Sequence, residues 1–206
     1  MRRTFGFFDF QNQSRYNAGM KPTLYLIAGA NGSGKTTMAL KFLADGDVEF
    51  LNADEIAKSI NPDDMWSVAV SAGKELFKRM DSVLKVRASV AIETTLSGNN
   101  HIRTISRFKE AGYIVKLWYV FLDTPKLSIE RIKVRVAKGG HHVPDEDVIR
   151  RFSRSREHFW EIANMADDWI LYYNGDNDFI QVAQGAGDHR EISDLDLFNT
   201  FNKDLK

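Results

Sequence analysis

The chain contains no cysteine among its 206 residues, and its 28 basic and 28 acidic side chains cancel. The absence of cysteine excludes disulfides and thiolate metal sites and fits a reducing compartment, so we expect a cytoplasmic protein. A formal charge of zero provides no general attraction for nucleic acid or for an anionic membrane surface, so we expect neither as a partner. No apolar run approaches the length of a membrane span.

Apolar runs with strand character alternate with helical patterns along most of the chain, and 43% of the residues are hydrophobic. We predict strands at 23–29, 48–52, 88–94, 113–123, 169–174 and 179–185, and helices at 35–43, 62–86, 101–112, 126–138 and 145–166. This alternation predicts an α/β fold, a three-layer P-loop NTPase sandwich with a mostly parallel central sheet. We predict an N-terminal extension over residues 1–22 and a single domain over residues 23–206.

The stretch LIAGANGSGKTT contains a glycine-rich turn that fits the pattern G-x-x-x-x-G-K-[ST]. Backbone N–H groups of such a loop cradle phosphate oxygens, and the helix that follows adds its positive end. Lys35 is expected to reach the β and γ phosphates, and Thr36 to bind Mg²⁺. The predicted cofactors are therefore ATP and Mg²⁺. The predicted ATP-binding residues are Gly29, Ala30, Asn31, Gly32, Ser33, Gly34, Lys35, Thr36 and Thr37.

A phosphate-binding loop alone does not distinguish a kinase from a GTPase or a motor ATPase. The sequence contains no N-K-x-D, no D-x-x-G and no run of four apolar residues that ends in Asp-Glu. These absences, together with the small size of the chain, favour a small-molecule kinase.

Carboxylates follow two of the predicted strands at the sheet edge where ligands bind in open parallel sheets. Asp54 is placed to orient an acceptor hydroxyl and take its proton, although a helix N-cap is the alternative. Glu93 could bind a sugar hydroxyl or hold Mg²⁺ through water, or it could cap the next helix. Thr95 and Ser97 line the loop that follows it. Asp123 we interpret as the cap of the helix after the fourth strand.

A basic segment covers the two helices around the sequence GGHHVP. Its cations are Arg131, Lys133, Arg135, Lys138, Arg150, Arg151, Arg154 and Arg156. Arg131 and Arg135 share one helical face, and arginines stabilise the charge of a moving phosphoryl group. We therefore predict a helical lid hinged at GGHHVP, with Arg151 and His141 as further lid candidates. A solvated face paired with neighbouring carboxylates is the alternative for any single arginine.

Four stretches in this order resemble the zeta-toxin-like P-loop kinases over about residues 23–156: LIAGANGSGKTT, LNADEIA, IETTLSG and RVAKGGHHVPDEDVIRRF. Zeta toxins phosphorylate the 3′-hydroxyl of the amino sugar in UDP-N-acetylglucosamine with ATP and Mg²⁺. A small antitoxin protein blocks their ATP site. The resemblance therefore implies a nucleotide-sugar substrate and a small antitoxin as partner.

The resemblance also implies residue roles. Lys35 and Thr36 match the nucleotide and Mg²⁺ positions, and Asp54 matches the catalytic base. Glu93 and Thr95 match sugar-nucleotide contacts. For the lid arginine that acts on the γ-phosphate, the resemblance offers either Arg131 or Arg135.

The sequence departs from the well-known toxins at two positions. Ser97 stands where they carry an arginine, and His141 is the residue nearest to their second lid arginine. Two alternatives to the nucleotide-sugar kinase stay open. One is a kinase of a nucleoside or polyol, and the other is a nucleotide-binding regulatory module with negligible turnover.

Overall fold

The computed structural model describes residues 21–43, 48–175, 178–203 and 205, so residues 1–20 of the predicted extension lie outside the described residues. Strands and helices alternate through the first half of the chain. In order they are β1 (Thr23–Ala28), α1 (Lys35–Leu43), β2 (Glu49–Leu51), α2 (Ala53–Ile60), α3 (Ala69–Val86), β3 (Val90–Thr94), α4 (Asn100–Glu110), β4 (Ile114–Phe121), α5 (Pro125–Ala137), α6 (Asp145–Glu157), α7 (Phe159–Met165), β5 (Asp168–Tyr173), β6 (Ile180–Ala186), β7 (His189–Ile192) and α8 (Leu195–Asn202).

The seven strands form one sheet in the order β2-β3-β1-β4-β5-β6-β7. The pairs from β2 to β5 are parallel, whereas β6 and β7 are antiparallel additions. The predicted mostly parallel sheet is confirmed. The antiparallel edge also includes β7, which the sequence patterns did not predict, and α8 follows it.

Strand β1 lies at the centre of the sheet, and its residues pack alternately on the two faces. Leu24 and Leu26 belong to a core shared with α3, α4, α7 and α8, whereas Tyr25 and Ile27 pack on the side of α1. All six residues of the strand are buried, which explains why its sequence is an almost continuous apolar run. Helices therefore cover both faces, and the predicted three-layer sandwich is confirmed.

Helix α2 was not predicted, and α3 is shorter than the predicted helix over 62–86. Helix α3 begins only at Ala69. Ahead of it, the Asn61 side chain accepts from the N–H groups of Asp63 and Asp64 at 3.2 Å each, and Asp64 accepts from Ser67 N–H at 3.1 Å. Such side-chain bonds to the backbone compete with helix, so this segment forms turns.

The predicted lid consists of α5, α6 and the loop between them, called the lid segment below. The two helices pack on each other through Ile132 and Val148, together with Val143 of the loop. Gly139 has φ +83°, and its N–H donates to the Val136 carbonyl at 2.9 Å. The Gly140 N–H donates to the Arg135 carbonyl at 2.9 Å. The glycines therefore end α5 in the way that a left-handed glycine cap does, while their role as a hinge stays a prediction.

The helix predicted over 145–166 is divided at His158 into α6 and α7. Within the part of the chain that the structure describes, no helix has both the length and the apolar character that crossing a bilayer requires.

Candidate active site

The loop between β1 and α1 lies at the sheet edge where all five parallel strands end. Gly29, Gly32 and Gly34 have φ values of +140°, +76° and +97°, which side chains rarely adopt. A Cβ on Gly29 would collide with the Val120 carbonyl, and one on Gly34 with the Asn174 amide. The loop backbone is therefore pressed against its neighbours and needs glycine at these positions, as phosphate-binding loops do.

Lys35 is 6% exposed at the start of α1. Its ammonium donates to the Ala30 carbonyl at 3.0 Å and lies 3.7 Å from Glu93 Oε1. Burial lowers the pKa of Lys35, while the carboxylates of Glu93 and Asp54 oppose that shift and Arg135 adds to it. Two carboxylates and the lid arginine thus act electrostatically on the lysine of the loop.

Glu93 faces the loop from the end of β3. Its Oε2 accepts from Thr36 Oγ1 at 2.7 Å and from Asn52 Nδ2 at 2.8 Å. The helix that follows begins only at Asn100, so the alternative of Glu93 as a helix cap is wrong.

Thr36 and Glu93 fit a Mg²⁺ site by the chemistry of their oxygens. The Thr36 hydroxyl donates a hydrogen bond to Glu93, which leaves the lone pairs of the hydroxyl oxygen available to a cation. No group of three or more His, Asp or Glu side chains suited to a metal occurs among the described residues. The pair suits Mg²⁺, because this ion is held by one or two protein oxygens together with substrate phosphates. Thr36 and Glu93 are the residues that would hold it.

Asn52 is a site residue that the sequence analysis missed. It caps α2, and its Oδ1 accepts from the N–H groups of Asp54 at 2.8 Å and Glu55 at 3.4 Å. Its amide is bound to Glu93 at the same time. An asparagine directly before an amphipathic segment is a typical N-cap, and this signal could have identified both α2 and the residue.

Asp54 is the second residue of α2, so the alternative of Asp54 as an N-cap is wrong. Its side chain is exposed, and it lines a cleft between the α2–α3 region and the lid segment. His141 and Arg151 face the same cleft, and the ring centroids of Trp66 and His141 lie 5.6 Å apart. The complete lining is Ala53, Asp54, Ala57, Met65, Trp66, Ala69, Ala72, His141, Val143 and Arg151.

The pKa of His141 depends on burial and on the charged residues around the cleft. Burial lowers the pKa of His141, Asp54 opposes that shift, and the charges of Arg135, His142 and Arg151 reinforce it. The lowered pKa of His141 favours the neutral form of its imidazole.

The lid arginines point to different places. Arg131 donates to the Gly175 carbonyl at 2.5 Å, whereas Arg135 donates to the His141 carbonyl at 2.9 Å. Arg135 is also the arginine whose charge acts on both Lys35 and His141. Arg151 lies 3.5 Å from Asp147 Oδ2, a contact at the limit of hydrogen-bond distance, and it faces the cleft.

Thr95 and Ser97 lie on the loop after β3, and their hydroxyls are 2.8 Å apart. Neither belongs to the lining of the cleft. Asp123 differs from its interpretation as a helix cap, because Thr124 caps α5 and Asp123 accepts from the Tyr173 hydroxyl at 2.6 Å.

A glycine-rich turn between a central parallel strand and a helix, with a lysine and a threonine at the helix start, defines a P-loop NTPase. Residues 9–182 match the family model described as zeta toxin. The chain therefore belongs to the zeta toxin family of P-loop kinases, and the predicted resemblance is confirmed.

Individual relatives agree with this family. A Haemophilus influenzae protein described as uncharacterized is 33% identical over 133 residues, which are 65% of this chain and 94% of that protein. The AvrRxo1-ORF1:AvrRxo1-ORF2 complex has been solved with sulphate ions and with ATP. These structures give TM-scores of 0.71 and 0.69 at 19% identity, over 91% of this chain and 66% of theirs. This chain thus spans just under two thirds of the matched AvrRxo1 chains.

The chromosomal PezAT toxin–antitoxin system of Streptococcus pneumoniae gives a TM-score of 0.62 at 16% identity, over 95% of this chain and 82% of that one. At these identities the solved structures demonstrate a shared fold.

Proposed function

We propose that the protein is an ATP-dependent kinase that phosphorylates a hydroxyl of UDP-N-acetylglucosamine. One observation carries the proposal. Asp54 lines a cleft, and its N–H donates to Asn52. The Asn52 amide donates to Glu93, which also contacts Lys35 and Thr36. A donor site and an acceptor site thus adjoin. Membership of the zeta toxin family and the solved AvrRxo1 complex with ATP support the choice of donor.

The donor side consists of the loop and the cluster of Lys35, Thr36 and Glu93. Loop N–H groups and the Lys35 ammonium bind the β and γ phosphates of ATP. Bound Mg²⁺ supplies charge neutralisation on the phosphate oxygens, and Thr36 and Glu93 hold it. We assign Glu93 to this side, because its carboxylate accepts from Thr36 and Asn52 rather than facing the cleft.

The acceptor side is the cleft. Asp54 takes the proton of the acceptor hydroxyl while the hydroxyl oxygen forms a bond to the γ-phosphorus of ATP. The bond between the γ-phosphorus and the β–γ bridging oxygen breaks, and ADP is released. Within the described part of the chain, no group hydrogen bonds to the Asp54 carboxylate, so it can receive that proton. The half-exposed ring of Trp66 offers a flat apolar face for a sugar ring. Thr95 and Ser97 lie outside the lining of the cleft, and we propose that they contact the part of the acceptor that extends to the loop after β3.

Arg135 is the lid arginine that stabilises the transferred phosphoryl group. Its charge acts on Lys35, which binds the same phosphates, whereas the guanidinium of Arg131 is bound to the Gly175 carbonyl. His141 and Arg151 are the polar residues of the lid segment that line the acceptor cleft.

Incubation of the protein with ATP, Mg²⁺ and a panel of acceptors tests the proposal. The panel contains UDP-N-acetylglucosamine, a nucleoside and a polyol, and mass spectrometry detects the gain of one phosphoryl group. We expect wild type to phosphorylate the nucleotide sugar and Lys35→Ala to form no product. If only the nucleoside or the polyol is phosphorylated, that compound replaces the nucleotide sugar as the proposed substrate. Tight ATP binding without transfer to any acceptor would instead favour a regulatory nucleotide-binding module.

A small antitoxin protein is the proposed partner. The solved PezAT system is described as a toxin–antitoxin pair, which supports this choice. Co-expression with the product of a neighbouring small gene tests it, and we expect the complex to lose ATP binding. Unchanged ATP binding in a stable complex would contradict an antitoxin that blocks the donor site.

A further inference from the structure

The junction between α6 and α7 reaches across the fold to the loop after β3. His158 is the single residue between the two helices, and its Nδ1 lies 2.8 Å from the Leu96 carbonyl oxygen, 62 residues away in sequence. A carbonyl oxygen can only accept, so Nδ1 carries the proton and donates it. The bond therefore fixes the tautomer of the imidazole as well as the position of the loop.

Leu96 has a backbone conformation that needs such support. Its φ is +58°, in the left-handed region that few non-glycine residues adopt, and its side chain is fully buried. Its N–H donates to Thr94 Oγ1 at 3.1 Å, while His158 holds its carbonyl. Unfavourable backbone angles persist only where surrounding contacts enforce them, and they cluster at binding sites.

The strained residue lies between two hydroxyls that face each other. Thr95 precedes Leu96 and Ser97 follows it, with their oxygens 2.8 Å apart. If Leu96 relaxed to ordinary angles, the chain direction would change between these residues and separate the pair. The conformation of Leu96 therefore determines where both hydroxyls lie.

We propose that His158 is a positioning residue for the acceptor loop, defined as residues 94–99. It holds Leu96 in the backbone conformation that keeps the Thr95 and Ser97 hydroxyls together. It also joins that loop to α6, whose Arg151 faces the cleft. The assignment of the loop to the acceptor rests on the proposed function, whereas the link between His158 and the loop conformation does not.

Hydrogen–deuterium exchange of the acceptor loop in the protein without ligands tests the link. His158→Leu removes the donor, whereas His158→Asn places an amide nitrogen where Nδ1 lies. We expect several-fold to about tenfold faster exchange over residues 95–98 in the leucine variant, as loss of one hydrogen bond implies. The asparagine variant is expected to stay within about twofold of wild type. His189→Leu is the control, because β7 lies at the opposite sheet edge.

Steady-state kinetics separates a positioning role from a general structural one. We expect His158→Leu to raise the KM for the acceptor several-fold while the Kd for ATP is unchanged, and His158→Asn to restore the KM. Wild-type exchange rates in both variants would overturn the proposal, and so would fast exchange in both. If the leucine variant does not fold, His158→Ala replaces it. If wild type phosphorylates no acceptor, the proposed function fails, but the exchange rates still decide the role of His158.

Discussion

The carboxylate of Glu93 is shared by three partners: the Thr36 hydroxyl, the Asn52 amide and the Lys35 ammonium. Asn52 fixes the start of α2. In the proposed function, Thr36 binds the cation and Lys35 binds the phosphates. A single side chain thereby joins the donor loop to the helix that carries Asp54.

We expect Glu93→Gln to weaken Mg²⁺-dependent ATP binding by about tenfold or more. The substitution keeps the size but removes the charge, and hydrogen bonds to charged groups contribute about 1.5–3 kcal/mol. Calorimetric titration of ATP with and without Mg²⁺ measures the effect. Glu49→Gln on the exposed edge of β2 is the matched control. An unchanged dependence on Mg²⁺ would remove Glu93 from the donor site.

At the scale of single residues, the sequence predicted those sites that a local pattern defines. Lys35 and Thr36 follow from the glycine-rich motif, and Asp54 from its place after a strand. Asn174 could not be predicted, because its amide donates to the Ser33 carbonyl at 2.8 Å across 141 residues of sequence. His158 was missed for the same reason. Their partners become neighbours only when the sheet has formed.

Two glycines, one inside a helix and one just after a helix, differ in the space around them. A Cβ on Gly140 would lie 2.5 Å from Arg135 Cγ and 2.8 Å from its carbonyl oxygen, whereas one on Gly73 within α3 would meet nothing within 4 Å. Gly140 is therefore required by the lid segment, and Gly73 only weakens its helix.

We expect Gly73→Ala to raise the free energy of unfolding by about 0.5–1 kcal/mol, because alanine replaces glycine in a helix interior without a collision. The equivalent change Gly140→Ala is expected to displace Arg135 and to lower the rate of phosphoryl transfer. Urea unfolding and single-turnover kinetics measure the two effects. A transfer rate in Gly140→Ala equal to that of Gly73→Ala would contradict the role given to Arg135.

At the scale of elements, α4 and α5 were predicted to within two residues at each end. The start of α3 was misplaced because Asn61 and Asp64 divert backbone N–H groups into turns. Apolar periodicity does not record such bonds, and neither does it record the one-residue break at His158.

Two half-buried histidines of the molecule take up a proton only at a cost in free energy. Burial is the largest cause that lowers the pKa of both His101 and His141. The unfolded chain therefore binds protons more readily than the folded protein does below the ordinary histidine pKa of about 6.5. Stability from these groups is present above that pH and is lost as the pH falls through the lower, folded values.

We expect the urea concentration at the unfolding midpoint of wild type to decrease as the pH is lowered from 7.5 to 5.5. The decrease is expected to be smaller in His101→Gln. The reason is that the variant has one histidine fewer to protonate on unfolding. His189→Gln on exposed β7 is the control and is expected to change nothing. An identical pH dependence in wild type and His101→Gln would contradict the account.

The layers and the mostly parallel sheet were predictable because alternating apolar runs and helices allow few other arrangements. The order of the strands was not, since it depends on contacts between β3, β1 and β4. The exposed β7 has no apolar pattern, so its pairing with β6 could not be read from the sequence.

Transfer of phosphate from ATP to UDP-N-acetylglucosamine by wild type and by Asp54→Asn tests the central claim, that donor and acceptor meet beside Asp54. The ATP Kd of both proteins is measured alongside. We predict equal ATP affinity, a phosphorylated sugar nucleotide from wild type, and a loss of about 10² to 10⁴ in rate for the variant. Equal rates from the two proteins would contradict the account.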